Sequence, residues 1–413
     1  MSRQPARSRY DAVVDLFPVG RDIPTMAYAL VKFTYRIEGQ TMTLAEAEPL
    51  FHDIRDPDIQ PRLLPGSDFW PKKTATDLVV RGSAFAPSGV PVTTMQVSVR
   101  VGDRSKAIKI FGERTASWST NGQPRFTAPE AFTEVPLTYA NAYGGVDGRV
   151  PISDKPLTEA EIVRVYADHP GLYPRNPFGK GYVVLPEAAQ DVSLPLLEDP
   201  EDLLTPERLI VGNPENWFLQ PIPWCYEFSN PLQFPRFAYL GIDAWFTPPD
   251  DDRLPEVRRG YLPPRYRHQF GDEWDPGKNI PLPYFQEAAL EMVFNDLNEN
   301  IPIKITGMHP EEHSIEFFLP PEPSIEITIE GQKEAIKPQI SNILIEPSEK
   351  KMAIVYIARK TGLPRTFIPG IHGFIPLSVI VSGDVPVKYE TPPTIRDQLK
   401  AGETDTAETS KET

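Results

Sequence analysis

The residues best suited to chemistry are His309-Pro310-Glu311-Glu312-His313, two histidines four positions apart with glutamates between them. On a helix that spacing sets both imidazoles on one face, where they can hold zinc beside a glutamate base. The flanks oppose a helix. Ile301 to Thr306 and Ile315 to Leu319 read as strands, and Gly307 and Pro310 punctuate the stretch between them. A turn is therefore predicted here in place of a metal site.

Other candidates fare no better. Asn176-Pro177-Phe178-Gly179-Lys180-Gly181 lacks the Gly-Lys-Ser/Thr ending and the glycine spacing with which backbone amides wrap a phosphate, so it too reads as a turn. Gly144-Gly145 reads as a place of positive φ or close backbone approach. Asp250-Asp251-Asp252 lacks the glycine and terminal glutamate of a calcium loop. Cys225 lies between Trp224 and Tyr226 with no cation in sequence to lower its pKa, which predicts a buried structural thiol. No G-x-S-x-G elbow occurs, and nothing singles out one carboxylate pair from many. No catalytic constellation emerges, and no cofactor or metal is expected.

One stretch is unusually aromatic. Between Asn216 and Phe246 stand Trp217, Phe218, Trp224, Tyr226, Phe228, Phe234, Phe237, Tyr239, Trp245 and Phe246, interrupted by Pro221, Pro223, Pro231 and Pro235. Such rings either fill a core with irregular backbone or receive sugars and apolar partner segments. Trp217, Phe218, Trp224, Trp245 and Phe246 are the candidate protein-interaction residues.

The elements that must position these residues are mostly strands. The 48 prolines among 413 residues are more than twice ordinary usage. Each removes a backbone donor and fixes φ, which disfavours long helices. Met26 to Ile37 is an apolar, β-branched and aromatic run. Met95, Val97, Val99 and Val101 alternate with polar residues, and after Gly102-Asp103-Arg104-Ser105 the alternation resumes at Ile108 and Ile110, predicting a hairpin with one face in a core. Ile325, Ile327 and Ile329 predict a half-buried strand, Ile343 to Glu346 and Met352 to Ala358 another hairpin, and Ile375 to Val381 a late strand. Thr158-Glu-Ala-Glu161 is a capping box for the best helix candidate, and Glu287 to Phe294 suits a short helix or a strand.

The fold class expected is mainly β, all-β or β-rich α+β: sandwich- or barrel-like antiparallel sheets with long proline-rich loops and few short helices. An N-terminal β-rich lobe is placed at 10–185. The aromatic segment and a C-terminal β-rich lobe follow at 205–390, and a polar, disordered tail at 391–413. The net charge of -15 disfavours nucleic acid and anionic membranes. No run reaches the roughly 18 apolar residues of a membrane span. The single cysteine suits a reducing compartment, and no apolar stretch follows Arg3, Arg7 and Arg9, so a cytoplasmic location is expected.

In order along the chain stand PKKTATDLVVRGSAFAPSG, VSVRVGDRSKAIKIFGER, VPLTYANAYGG and RNPFGKG, from Pro71 to Gly181. Phe317-Phe-Leu-Pro320, Ile343-Leu-Ile-Glu-Pro347 and Leu363-Pro364-Arg365 follow further on. In these pieces the chain resembles the bacterial domain-of-unknown-function 2169 family. The resemblance implies a component of type VI secretion clusters, encoded beside spike and PAAR-tip proteins and toxic effectors. It further implies a non-enzymatic adaptor or chaperone that holds an effector and helps load it on the spike. It carries no catalytic residues with it. The alternative is a β-scaffold hydrolase, or a carbohydrate-active or carbohydrate-binding protein.

Overall fold

The structure, a computed structural model, describes residues 10–18, 25–50, 68, 73, 75–119, 123–147, 171, 173, 176, 179–186, 191–212, 220–227, 286, 288–295, 297, 299–329, 331–363, 377–381 and 387–388. Strands dominate, paired mainly antiparallel, and no described helix reaches seven residues. The Thr158 helix, the tail beyond 391 and the aspartate trio lie outside the described residues. Two compact units emerge: Met1–Asp11, Val31–Glu322 and Gln339–Tyr356 form the first, and Ala12–Leu30, Pro323–Pro338 and Ile357–Thr413 the second.

In the first unit, one antiparallel sheet runs in the order Leu197–Glu198, Arg104–Phe111, Thr94–Val101, Pro302–Thr306, Ser314–Phe318. The period-two pattern explains it: Val97, Val99, Val101, Ile108, Ile110, Ile303, Ile305, Ile315 and Phe317 are all buried on alternate positions. Register lines these residues up across the strands. Val101 lies opposite Ile303, and Ile303 opposite Phe317. Each such side chain contributes about 1.5–3 kcal/mol by leaving water. The hairpin turns at Gly102, whose φ of 57° suits glycine.

Within this unit a second sheet sets the Val31 to Glu38 part of the strand Thr25–Glu38 beside the Lys351 to Tyr356 part of Lys351–Leu363, then Gln339–Glu346, Thr76–Val80 and Val293–Phe294. Thr41–Leu44 folds back on the Thr25–Glu38 strand. Gln339–Glu346 and Thr76–Val80 run parallel, with Asn342 opposite Asp77 and Ile343 opposite Leu78. Pro347–Glu349 forms a single 3-10 turn ending at Lys350 in the left-handed region, closing the hairpin between Gln339–Glu346 and Lys351–Leu363. The Glu287 to Phe294 stretch is both things its sequence allowed: a 3-10 turn at Leu290–Met292 and a short strand at Val293–Phe294.

A smaller core gathers Tyr143, Tyr173 and Tyr182 with Leu194, Leu204 and Leu209. Tyr143 and Tyr173 meet edge-on at 5.1 Å between centroids. In the second unit, Gln332–Ile336, Ile325–Ile329, Leu377–Val381 and Val387–Lys388 form an antiparallel sheet. Its Gln332–Ile336 edge is exposed and carries Lys333 and Glu334, charges that discourage further strand pairing.

Candidate functional site

The two-histidine motif forms a turn. It connects the antiparallel strands Pro302–Thr306 and Ser314–Phe318, and Gly307 opens it at φ 76°. His309 Nδ1 accepts hydrogen bonds from the backbone N–H groups of Glu311 and Glu312 at 3.1 and 2.9 Å. That nitrogen is thereby spent on the turn itself, and Glu312 pairs with Lys350. The helical face that a zinc pair requires does not form.

Asn176 of the RNPFGKG motif is a buried clasp. Its Nδ2 donates to the carbonyls of Tyr139 and Tyr143 at 2.7 and 3.1 Å, and its own carbonyl accepts the Gly145 N–H at 2.8 Å. Gly144 lies so close that a Cβ there would stand 2.1 Å from the Asn176 carbonyl oxygen. The motif glycines serve this close approach of two backbones.

Of the aromatic candidates, Trp224 is buried, and Trp217, Phe218, Trp245 and Phe246 lie outside the described residues. Trp224 Nε1 donates to the Ala107 carbonyl at 2.6 Å. Its ring receives Lys106 Nζ at 3.1 Å from the centroid. Lys106 occupies an inward position of its strand, opposite Val99, and reaches Glu291 at 3.2 Å. Burial holds its ammonium below the ordinary value, against the pull of Glu291. Beside it, burial pushes the Cys225 thiol up to about 12, and its Sγ donates to the Leu137 carbonyl. A thiol so placed is inert.

Sequence reasoning missed a chain of polar groups inside the first unit. Lys32 Nζ meets Asp68 Oδ2 at 3.1 Å, and Asp68 Oδ1 accepts from Asn342 Nδ2 at 3.5 Å. Asn342 Oδ1 accepts from Lys73 Nζ, which lies 2.6 Å from Asp77 Oδ2. Gln286 Nε2 donates to the other Asp77 oxygen at 3.1 Å. The Lys73 and Asp77 side chains are 0% exposed. Four separated stretches of sequence meet here, a juxtaposition that no local pattern announces; only the PKKTATD motif marked part of it.

One further feature faces outward. Ser314–Phe318 pairs with Pro302–Thr306 on one side, and no described strand pairs with its other side. Thr41–Leu44, itself an edge, approaches it to within 8 Å between Cα atoms. Phe318 and Leu44 are 39% and 50% exposed on these two edges.

These features define a β-scaffold whose described interior is tied by buried polar contacts and in which the Ser314–Phe318 strand has no described strand paired to its outer side. The chain belongs to the domain-of-unknown-function 2169 family, described as an uncharacterized protein conserved in bacteria, whose model matches residues 23–356. Comparisons with curated proteins and with solved structures give no match.

Proposed function

We propose that this protein is a non-enzymatic cytoplasmic adaptor that binds a secreted toxin of a type VI secretion system and helps load it on the spike or PAAR-tip protein. The observation that carries the reading is the Ser314–Phe318 edge, whose outer side pairs with no described strand and which exposes Phe318 at its end. An edge of this kind takes an extended segment of a partner as an added strand, the backbone giving affinity and alternate side chains giving specificity. The family resemblance supplies the secretion context.

Co-expression with the toxin encoded beside it tests the proposal. The two are expected to co-purify, and deletion of the adaptor to abolish export of that toxin alone. Failure to co-purify, together with unchanged export, would sink the reading.

A further inference from the structure

The Lys73, Asp77 and Asn342 side chains form an arrangement that can make a covalent bond. We propose that Lys73 and Asn342 join through an intramolecular isopeptide bond, with Asp77 as the proton-transfer group.

The amine and the carboxamide are already in contact, Nζ donating to Oδ1. Both residues are buried, Lys73 1% and Asn342 2% exposed, so the carbonyl carbon is shielded from bulk solvent. Asp77 stands 2.6 Å from the same Nζ. It is the register partner of Asn342 on the neighbouring parallel strand, so one ladder fixes acid and amide relative to each other. Thr76 Oγ1 donates to the Ile340 carbonyl at 2.7 Å and pins that ladder one residue away. Gln286 holds the second Asp77 oxygen, which leaves Oδ2 aimed at the amine. The leaving nitrogen, Nδ2 of Asn342, faces Asp68. Holding reacting groups in contact turns a slow bimolecular condensation into an intramolecular one.

The step balances without any co-reactant. Asp77 Oδ2 takes a proton from the Lys73 ammonium. The freed Nζ lone pair attacks Cγ of Asn342, forming the Nζ–Cγ bond. The second proton lost by Nζ passes to Nδ2, the Cγ–Nδ2 bond breaks, and ammonia leaves. Asp77 ends as a neutral acid. The product is a secondary amide, and nothing is oxidised or reduced. The buried ammonium and carboxylate both disappear, which removes the desolvation cost that a buried ion pair carries.

The bond would close the chain between residues 269 positions apart. Such a closure restricts the unfolded chain as a long-range disulfide does, and it needs no oxidising compartment.

The test is the intact mass of the purified full-length protein under denaturing conditions. The wild type is expected to be lighter than its sequence by one ammonia. Proteolysis is expected to yield a branched peptide joining the Lys73 and Asn342 segments. Lys73→Met and Asn342→Ala are expected at their full sequence masses. Asp77→Ala is expected to keep its ammonia although both reacting residues remain. A wild-type mass equal to the sequence mass overturns the proposal whether or not any variant folds. So does an ammonia deficit that maps to Asn121-Gly122, where a succinimide would lose the same mass.

Discussion

Glu227 shows how one side chain can set a pH response. Burial raises its carboxyl to about 7, against the lowering effects of a backbone hydrogen bond from Tyr139 and the charge of Arg81. Its folded value therefore exceeds the unfolded one, near 4.3. The folded state holds the proton more tightly, so the associated stability is complete below about pH 4.3 and is lost as pH climbs through about 7. Glu227→Gln should leave the melting temperature unchanged at pH 4 and raise it at pH 8; equal shifts at the two pH values would contradict the assignment. Lys106 allows a second comparison. Lys106→Met keeps the packing against Trp224 and removes a buried charge, whereas Lys106→Ala also opens a cavity beneath that ring. Denaturant titration is expected to place the methionine variant within about 1 kcal/mol of wild type and the alanine variant at least about 2 kcal/mol below it.

Elements were legible where one face is buried and the other wet. The run Val97, Val99, Val101, then Ile108 and Ile110, became the strands Thr94–Val101 and Arg104–Phe111 because a period of two has only one use beside a core. The same pattern concealed Lys106, a charge on the inward face, because alternation alone does not reveal a cation held by Glu291 and an aromatic ring from elsewhere in the chain. Gly144 was legible as a close-approach residue, but its neighbour was not. With φ at 150° and the Asn176 carbonyl 2.1 Å from any Cβ, Gly144→Ala combines backbone strain with a backbone clash. It should cost at least about 3 kcal/mol by chemical denaturation; a loss under about 1 kcal/mol would show that the clasp can open cheaply. The Ser314–Phe318 edge makes the opposite prediction. Phe318→Asp and Leu44→Asp should change stability by no more than about 0.5 kcal/mol, as surface substitutions do. In a pull-down they should weaken toxin capture at least tenfold. Full capture by the double variant would move the binding surface elsewhere.

At the scale of the whole molecule, the first unit is closed by residues distant in sequence. Gln339–Glu346 lies between Thr76–Val80 and Lys351–Leu363, so this unit's part of the sheet, which starts at Val31, is finished only after residue 339. A chain ending at Glu322 lacks these inserted strands and leaves the Lys73–Asp77 pair without Asn342. It is expected to aggregate or to show no cooperative melting by circular dichroism, and a native-like transition would refute the dependence. The sequence by itself determined the fold class, most strand positions and the turn at His309, because burial on one face and proline or glycine at the ends are local constraints. It also carried the family, through motifs in fixed order. Only the tertiary structure decided what those motifs touch. Lys73, Asp77, Gln286 and Asn342 are unremarkable polar residues along the chain, and the parallel pairing of Thr76–Val80 with Gln339–Glu346 is what brings an amine, an acid and an amide together in the buried interior.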